Sequence, residues 1–139
     1  MNQILLDTHT LIWFIEGTKL KNDELQIIDS AIENNHLNIS SISIWEIAML
    51  VKKNKIALSS QLYEWVHKVQ SIPGLNTINL SANILLESCN LPNHEFADPA
   101  DRMIIATCRA YNLKLITYDT NIINYAERGY LKLAETATI

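Results

Sequence analysis

The stretch from Asp98 to Asp119 constrains this chain more than any other. It opens with Asp98-Pro99-Ala100-Asp101 and continues as an apolar helical run. It then breaks, resumes as Leu113 to Thr117, and reaches Asp119. Asp98 suits a helix N-cap, Pro99 the first helical position, and Asp101 the first turn. Leu113 to Thr117 is a short β-compatible run that ends almost at an acid. In an open parallel sheet, strand ends and the helix starts beside them share one edge, where ligands bind. Asp101 and Asp119 are therefore expected at the same edge.

The rest of the chain repeats this grammar. Gln3 to Leu6 is a short apolar strand without alternation, as for a strand covered on both faces, and Asp7 ends it. Helices are expected over Thr8 to Glu16, closed by Gly17, over Asp23 to Asn34, and from Ser41 to about Lys53. Ser59 to Ser71 is amphipathic, and Ser81 to Asn90 reads as a further helix. Leu37 to Ser40 and Leu75 to Leu80 read as strands, the latter after the Pro73-Gly74 turn. Asn121 to Glu127 reads as a short helix, Gly129 as a stop, and Tyr130 to Ala134 as a last edge strand. Such alternation predicts an α/β fold, a three-layer sandwich with a mostly parallel central sheet. The 139 residues fit a single domain, 1–139, with no internal repeat, low-complexity tract or linker.

Composition narrows the chemistry. Hydrophobic residues make up 48% and charged residues 19%, the balance of a globular protein. No run approaches the roughly 18 apolar residues of a membrane span, and the first residues lack the basic start of a signal peptide. A soluble, cytoplasmic protein is expected. Cys89 and Cys108 form no CxxC pair and read as free thiols. The net charge of −4 argues against nucleic-acid binding by bulk electrostatics. It leaves room for a nuclease, because divalent cations at a carboxylate cluster supply positive charge locally.

The candidate site is the set Asp7, Glu46, Asp101 and Asp119. Like charges brought together repel and raise one another's pKa, so four acids need something cationic among them. Oxygen donors without histidine point to Mg²⁺ or Mn²⁺ over zinc, and such sites suit phosphoryl chemistry. Each acid also has a structural reading. Ser43-x-x-Glu46 matches a capping box, Asp98 and Asp101 match a helix cap and its dipole, and Asp119 matches a turn or cap. Asp7 is the hardest to explain structurally, since a charge ending a buried strand needs a partner.

Four segments together resemble a family. Leu5-Leu6-Asp7-Thr8-His9-Thr10, Ser43-Ile44-Trp45-Glu46, Asp98-Pro99-Ala100-Asp101-Arg102 and Leu115-Ile116-Thr117-Tyr118-Asp119 are similar in order and spacing to the PIN-domain ribonucleases. Among these they are most similar to the VapC toxins of toxin–antitoxin pairs. The resemblance spans nearly the whole chain. It implies strand order 3-2-1-4-5, a metal-dependent endoribonuclease using Mg²⁺ or Mn²⁺, an RNA substrate, a VapB-like antitoxin and a homodimer. It assigns Asp7, Glu46, Asp101 and Asp119 as metal-binding catalytic acids, Asp98 as an accessory acid and Thr117 as a nearby hydroxyl. The pattern departs before Asp98, where Glu95-Phe96-Ala97 stands in place of the histidine that many relatives carry.

Other residues rank lower. Arg102 has two readings, a bidentate phosphate contact or an ion pair within the acid cluster. His9 reads as packed at a helix start, with a substrate contact as the alternative, His36 and His67 as surface residues, and Trp13, Trp45 and Trp65 as core or interface. Lys52, Lys53 and Lys55 read as a solvated helix end, with an RNA-backbone contact as the alternative. His94, Cys89 and Cys108 lack zinc spacing, and no Gly-x-Gly-x-x-Gly opens a dinucleotide site. Apolar helices such as Leu11 to Ile15 and Leu62 to Val69 are the expected dimer surface. The alternatives to a ribonuclease are a catalytically silent PIN-fold module that binds RNA or protein, a phosphatase, and a DNA-directed nuclease.

Overall fold

The computed structural model describes residues 3–135. At its centre lie four short parallel strands: β1 (Ile4–Leu6), β2 (Leu37–Ser40), β3 (Leu75–Ile78) and β4 (Lys114–Ile116), in the order β3-β2-β1-β4. Ile4 stands opposite Leu37 on one side and Lys114 on the other. The helices are α1 (Thr8–Glu16), α2 (Asn22–Glu33), α3 (Ser41–Lys52), α4 (Leu62–Gln70), α5 (Ala82–Cys89), α6 (Pro99–Tyr111) and α7 (Thr120–Glu127). The chain is thus the expected three-layer α/β/α sandwich.

The two-residue period of β1 divides the core. Leu5 points into a cluster with Ile84, Ile104, Ile105, Leu115 and Tyr125, built mainly from α5, α6 and α7. Ile4 and Leu6 point the other way, to Leu11, Ile28, Ile39 and Trp65, built mainly from α1, α2 and α4. Helix α3 serves both, with Ile42 on one side and Ile47 on the other. A strand buried on both faces cannot alternate polar and apolar residues, which explains the unbroken Ile-Leu-Leu run.

Two expectations are corrected in detail. The edge strand over Tyr130 to Ala134 contracts to one parallel bridge, Leu133 with Leu115, at the fifth position of the sheet. Tyr130 is drawn away from the sheet: its ring stacks on Tyr125 at 4.9 Å, and its carbonyl accepts from Arg109 Nη1 at 2.5 Å. Within the helices expected to supply a dimer surface, Leu11, Ile12, Trp65 and Val69 turn into the core, whereas Tyr63, between Leu62 and Val69, is 90% exposed. Leu86 on α5 is another large exposed apolar side chain, at 66%. No helix among the described residues is long and apolar enough to cross a membrane.

Gly74, in the turn before β3, has φ +88°, and an added Cβ would stand 2.1 Å from the Ile32 carbonyl oxygen. That neighbour is backbone, so it cannot swing aside. Gly17 at the end of α1 also has positive φ, +72°, but faces open space. Gly17→Ala should therefore cost only the left-handed backbone penalty, about 1–2 kcal/mol. Gly74→Ala should cost that and the collision besides. Urea midpoints for the two variants check the ranking, with Gly74→Ala expected to be clearly the less stable.

Candidate active site

The carboxyl ends of β1 and β4 and the starts of α1, α3, α6 and α7 meet at one edge of the sheet. There a cavity of about 360 Å³ is lined by Asp7, Glu46, Asp98, Asp101 and Asp119, with His9, Trp13 and Tyr118 among its other walls.

Asp7 ends β1 and is also the N-cap of α1, 8% exposed. Its Oδ1 accepts from Thr10 N at 2.9 Å and Thr10 Oγ1 at 2.8 Å. Its Oδ2 accepts from Thr117 Oγ1 at 2.5 Å. The same Thr117 oxygen accepts from Asp119 N at 3.1 Å, so one hydroxyl fixes Asp7 to the segment carrying Asp119. Thr10 Oγ1 also lies 3.1 Å from the Ile116 carbonyl oxygen, which ties the start of α1 to the end of β4.

Glu46 is half-buried on α3, and its carboxylate meets Thr8 Oγ1 at the start of α1. Thr8 Oγ1 in turn lies 2.9 Å from Ser43 Oγ. The capping-box reading of Ser43 and Glu46 does not hold. The N-cap of α3 is Ser40, whose Oγ accepts from Ile42 N at 3.1 Å, so Ser43 and Glu46 fall inside the helix and face the site. Burial raises the Glu46 pKa, the Thr8 hydrogen bond opposes that, and the negative charges of Asp98 and Asp7 add to it.

Asp98 and Asp119 are helix N-caps as well as cavity walls. Asp98 accepts from Ala100 N at 2.9 Å; Asp119 accepts from Asn121 N at 2.9 Å and Ile122 N at 3.1 Å. Both are exposed. Asp101, one turn into α6, is half-buried. Burial first, then the negative charges of Asp98, Asp119, Glu46 and Asp7, push its pKa from 3.8 to about 7. The charges that act on it most strongly are all negative, and Arg102 is absent from the cavity wall.

All seven residues singled out from sequence can now be placed. Asp7, Glu46, Asp98, Asp101 and Asp119 share the cavity, Thr117 holds Asp7, and Arg102 stands outside. Sequence reasoning missed Thr8, Thr10 and Ser43, which orient the acids. The two hydroxyls flanking His9 were the available signal. His9 itself is exposed and lines the cavity, with its ring 6.0 Å from that of Trp13, in contrast to the packed residue expected. Lys52, Lys53 and Lys55 sit at the exposed end of α3.

Five carboxylates with no lysine or arginine beside them among the described lining residues, and with only His9 opposing their charge, form a donor set of the kind that hard divalent ions take. Among the described residues, no three acidic, histidine or cysteine groups close around a single point. Mg²⁺ does not require that, since it keeps several waters and is held through one or two carboxylates plus substrate phosphates. The residues fit such an ion in chemistry and charge, as a lined cavity and not a closed cage.

A family model described as the PIN domain matches residues 4–128. Ribonuclease VapC22 of Mycobacterium tuberculosis is 28% identical over 123 residues, 88% of this chain and 91% of that protein. Two solved structures share the fold. VapBC2 from Rickettsia felis, bound to a DNA fragment from its promoter, has a TM-score of 0.68 at 20% identity, covering 94% of this chain and 96% of that one. DNA-bound VapBC from Salmonella typhimurium has a TM-score of 0.66 at 17% identity, covering 96% and 98%.

Proposed function

Because this chain belongs to the PIN-domain family, we propose that it is a metal-dependent endoribonuclease, the toxin of a toxin–antitoxin pair acting in the cytoplasm. The observation that carries the reading is the cavity itself: acids from four separate segments line it, and among the described residues no lysine or arginine stands in its wall. Kinship with a ribonuclease along nearly the full length supports RNA as substrate. The toxin–antitoxin complexes of like fold support an antitoxin partner resembling VapB.

Asp7 and Asp101 would hold Mg²⁺ or Mn²⁺, with Glu46 and Asp119 completing the pocket. A divalent ion there supplies positive charge that lowers the pKa of water and offsets charge growing on the scissile phosphate. The protein's own contribution is prearrangement. Thr117 and Thr10 fix the Asp7 rotamer, Thr8 fixes Glu46, and the helix starts fix Asp98 and Asp119. Little side-chain ordering is then left for the reaction to supply.

The purified chain should cleave single-stranded RNA when Mg²⁺ or Mn²⁺ is present. Chelation should bring cleavage to background, and excess Mn²⁺ should restore it. Gel assays on RNA, single-stranded DNA and a phosphomonoester, run in parallel, check both the metal requirement and the substrate class. Cleavage undiminished by chelator would overturn the reading.

A further inference from the structure

Beside the acid cavity, and sharing Asp98 and Asp101 with it, runs a second depression of about 470 Å³. Glu95 and Phe96, from the loop ahead of α6, form one wall; Asn121 and Asn124 of α7 and Arg128, its C-cap, form the other, so Arg128 is the cation that must offset Glu95 there. Positions 121, 124 and 128 are three and four residues apart, so the helix presents them on one face. We propose that this groove seats the RNA nucleotide next to the one being cut, and thereby sets a base preference at that position. The substrate class rests on the ribonuclease reading; the groove and its chemistry do not.

Three observations favour this occupant. First, the acid cavity repels a polynucleotide, so the strand must be held by groups outside it, and the groove is continuous with it. Second, Arg128 is a prepositioned cation. Its guanidinium lies 5.8 Å from the Tyr125 ring centroid and 5.2 Å from that of Tyr130, and Nη2 donates to the Asn93 carbonyl at 3.0 Å. A guanidinium has five N–H donors, so others remain for a phosphate. Third, the walls between Arg128 and the acids suit a base. The half-buried Phe96 ring, stacked with His94 at 6.1 Å and edge-on to Tyr125 at 5.2 Å, is an apolar aromatic part of the wall, and the exposed carboxamides of Asn121 and Asn124 each carry a donor pair and an acceptor. Single-stranded RNA is read by such a combination of aromatic stacking and base-edge hydrogen bonds. From Asp119 to Arg128 the helix advances about 13 Å, enough for more than a lone phosphate.

The test uses the full chain, with Asp7→Asn as the non-cleaving background, and fluorescein-labelled single-stranded RNA randomised in sequence. In that background, Asn121→Ala/Asn124→Ala and, separately, Arg128→Gln should each weaken RNA binding about tenfold by fluorescence anisotropy. Arg128→Gln should also reduce the slope of log Kd against log salt by roughly one, a change that mere loosening of the loop would not produce. In the cleaving protein, the Asn double variant should raise KM more than it lowers kcat and should flatten base preference at one position beside the cut. If wild type cuts RNA while both groove variants keep wild-type KM, affinity and preference, the groove inference falls and the ribonuclease reading stands. If wild type binds RNA with the expected salt response but never cuts it, the ribonuclease reading falls and the placement of the groove beside a cut falls with it. Unchanged RNA binding with weakened capture of a co-expressed antitoxin would assign the groove to a protein partner and overturn the proposal.

Discussion

Asp7→Asn should lower RNA cleavage at least about 100-fold, the scale of several kcal/mol of metal-derived stabilisation, while leaving the fold almost untouched. Both halves follow from the double duty of Asp7. As N-cap it accepts from Thr10 N, and an asparagine oxygen does that equally well, Asn and Asp being near-equal caps. On the other side, its Oδ2 takes a hydrogen bond from Thr117. An asparagine nitrogen would donate there, and the threonine oxygen can accept. Stability should therefore shift by less than about 1 kcal/mol, whereas the charge proposed to hold a divalent ion is gone. Asp7→Ala is a poorer probe because it also removes the cap. Thermal melting of Asp7→Asn beside wild type, with cleavage rates on one RNA, checks the pair of outcomes. Full activity in the folded variant would reject Asp7 as a metal-holding group.

Asp101→Asn should destroy activity and yet make the metal-free protein more stable. The folded protein holds the Asp101 proton up to a pKa of about 7, against 3.8 for the ordinary group, because burial and four neighbouring carboxylates oppose its charge. A raised folded-state pKa means that the folded state binds more protons than the unfolded one between these values. The associated stability is complete below about pH 4 and is lost as pH climbs through about 7. Metal-free wild type should thus weaken across that window, and Asp101→Asn should weaken much less. The carboxyl is only half-buried, so screening trims the effect to about 1–2 kcal/mol at pH 8. Added Mg²⁺ should stabilise wild type at pH 8 and do little for the variant. Denaturant unfolding at pH 5 and pH 8, with and without Mg²⁺, measures all of this. A variant no more stable than wild type at pH 8 without metal would show that Asp101 is not crowded by like charge.

Much of the site was legible from residues alone, because its acids sit where local rules can see them. Asp7 follows an unbroken Ile-Leu-Leu run, Asp98 precedes a proline at the first helical position, and Asp119 caps the last helix. Glu46 was visible but ambiguous. Its spacing from Ser43 satisfies a capping pattern, although the expected helix start at Ser41 already put Ser43 inside the helix, and only the contact with Thr8 shows that the carboxylate faces another element. Thr8 was hidden for a different reason: it meets Glu46 across 38 residues, and no local rule spans such a distance; Thr117, which meets Asp7 across 110, was given only by the family resemblance. The fold was equally readable in its strands and less so at its edge, where the aromatic stack around Tyr125 outcompetes the sheet for Tyr130. Amphipathic spacing identified the inward faces of α1 and α4, but spacing alone does not distinguish a core from a partner.

The pairing of β1 with β4 has a consequence for how such an enzyme is made. The strand that carries Asp7 lies beside one that leaves the ribosome about 110 residues later, and chains are synthesised at about 5–20 residues per second. Until that late strand emerges, Asp7 has neither Thr117 nor Asp119 beside it, and the nascent chain carries no assembled acid cluster. An acid cluster wired in this order closes only after β4 has left the ribosome.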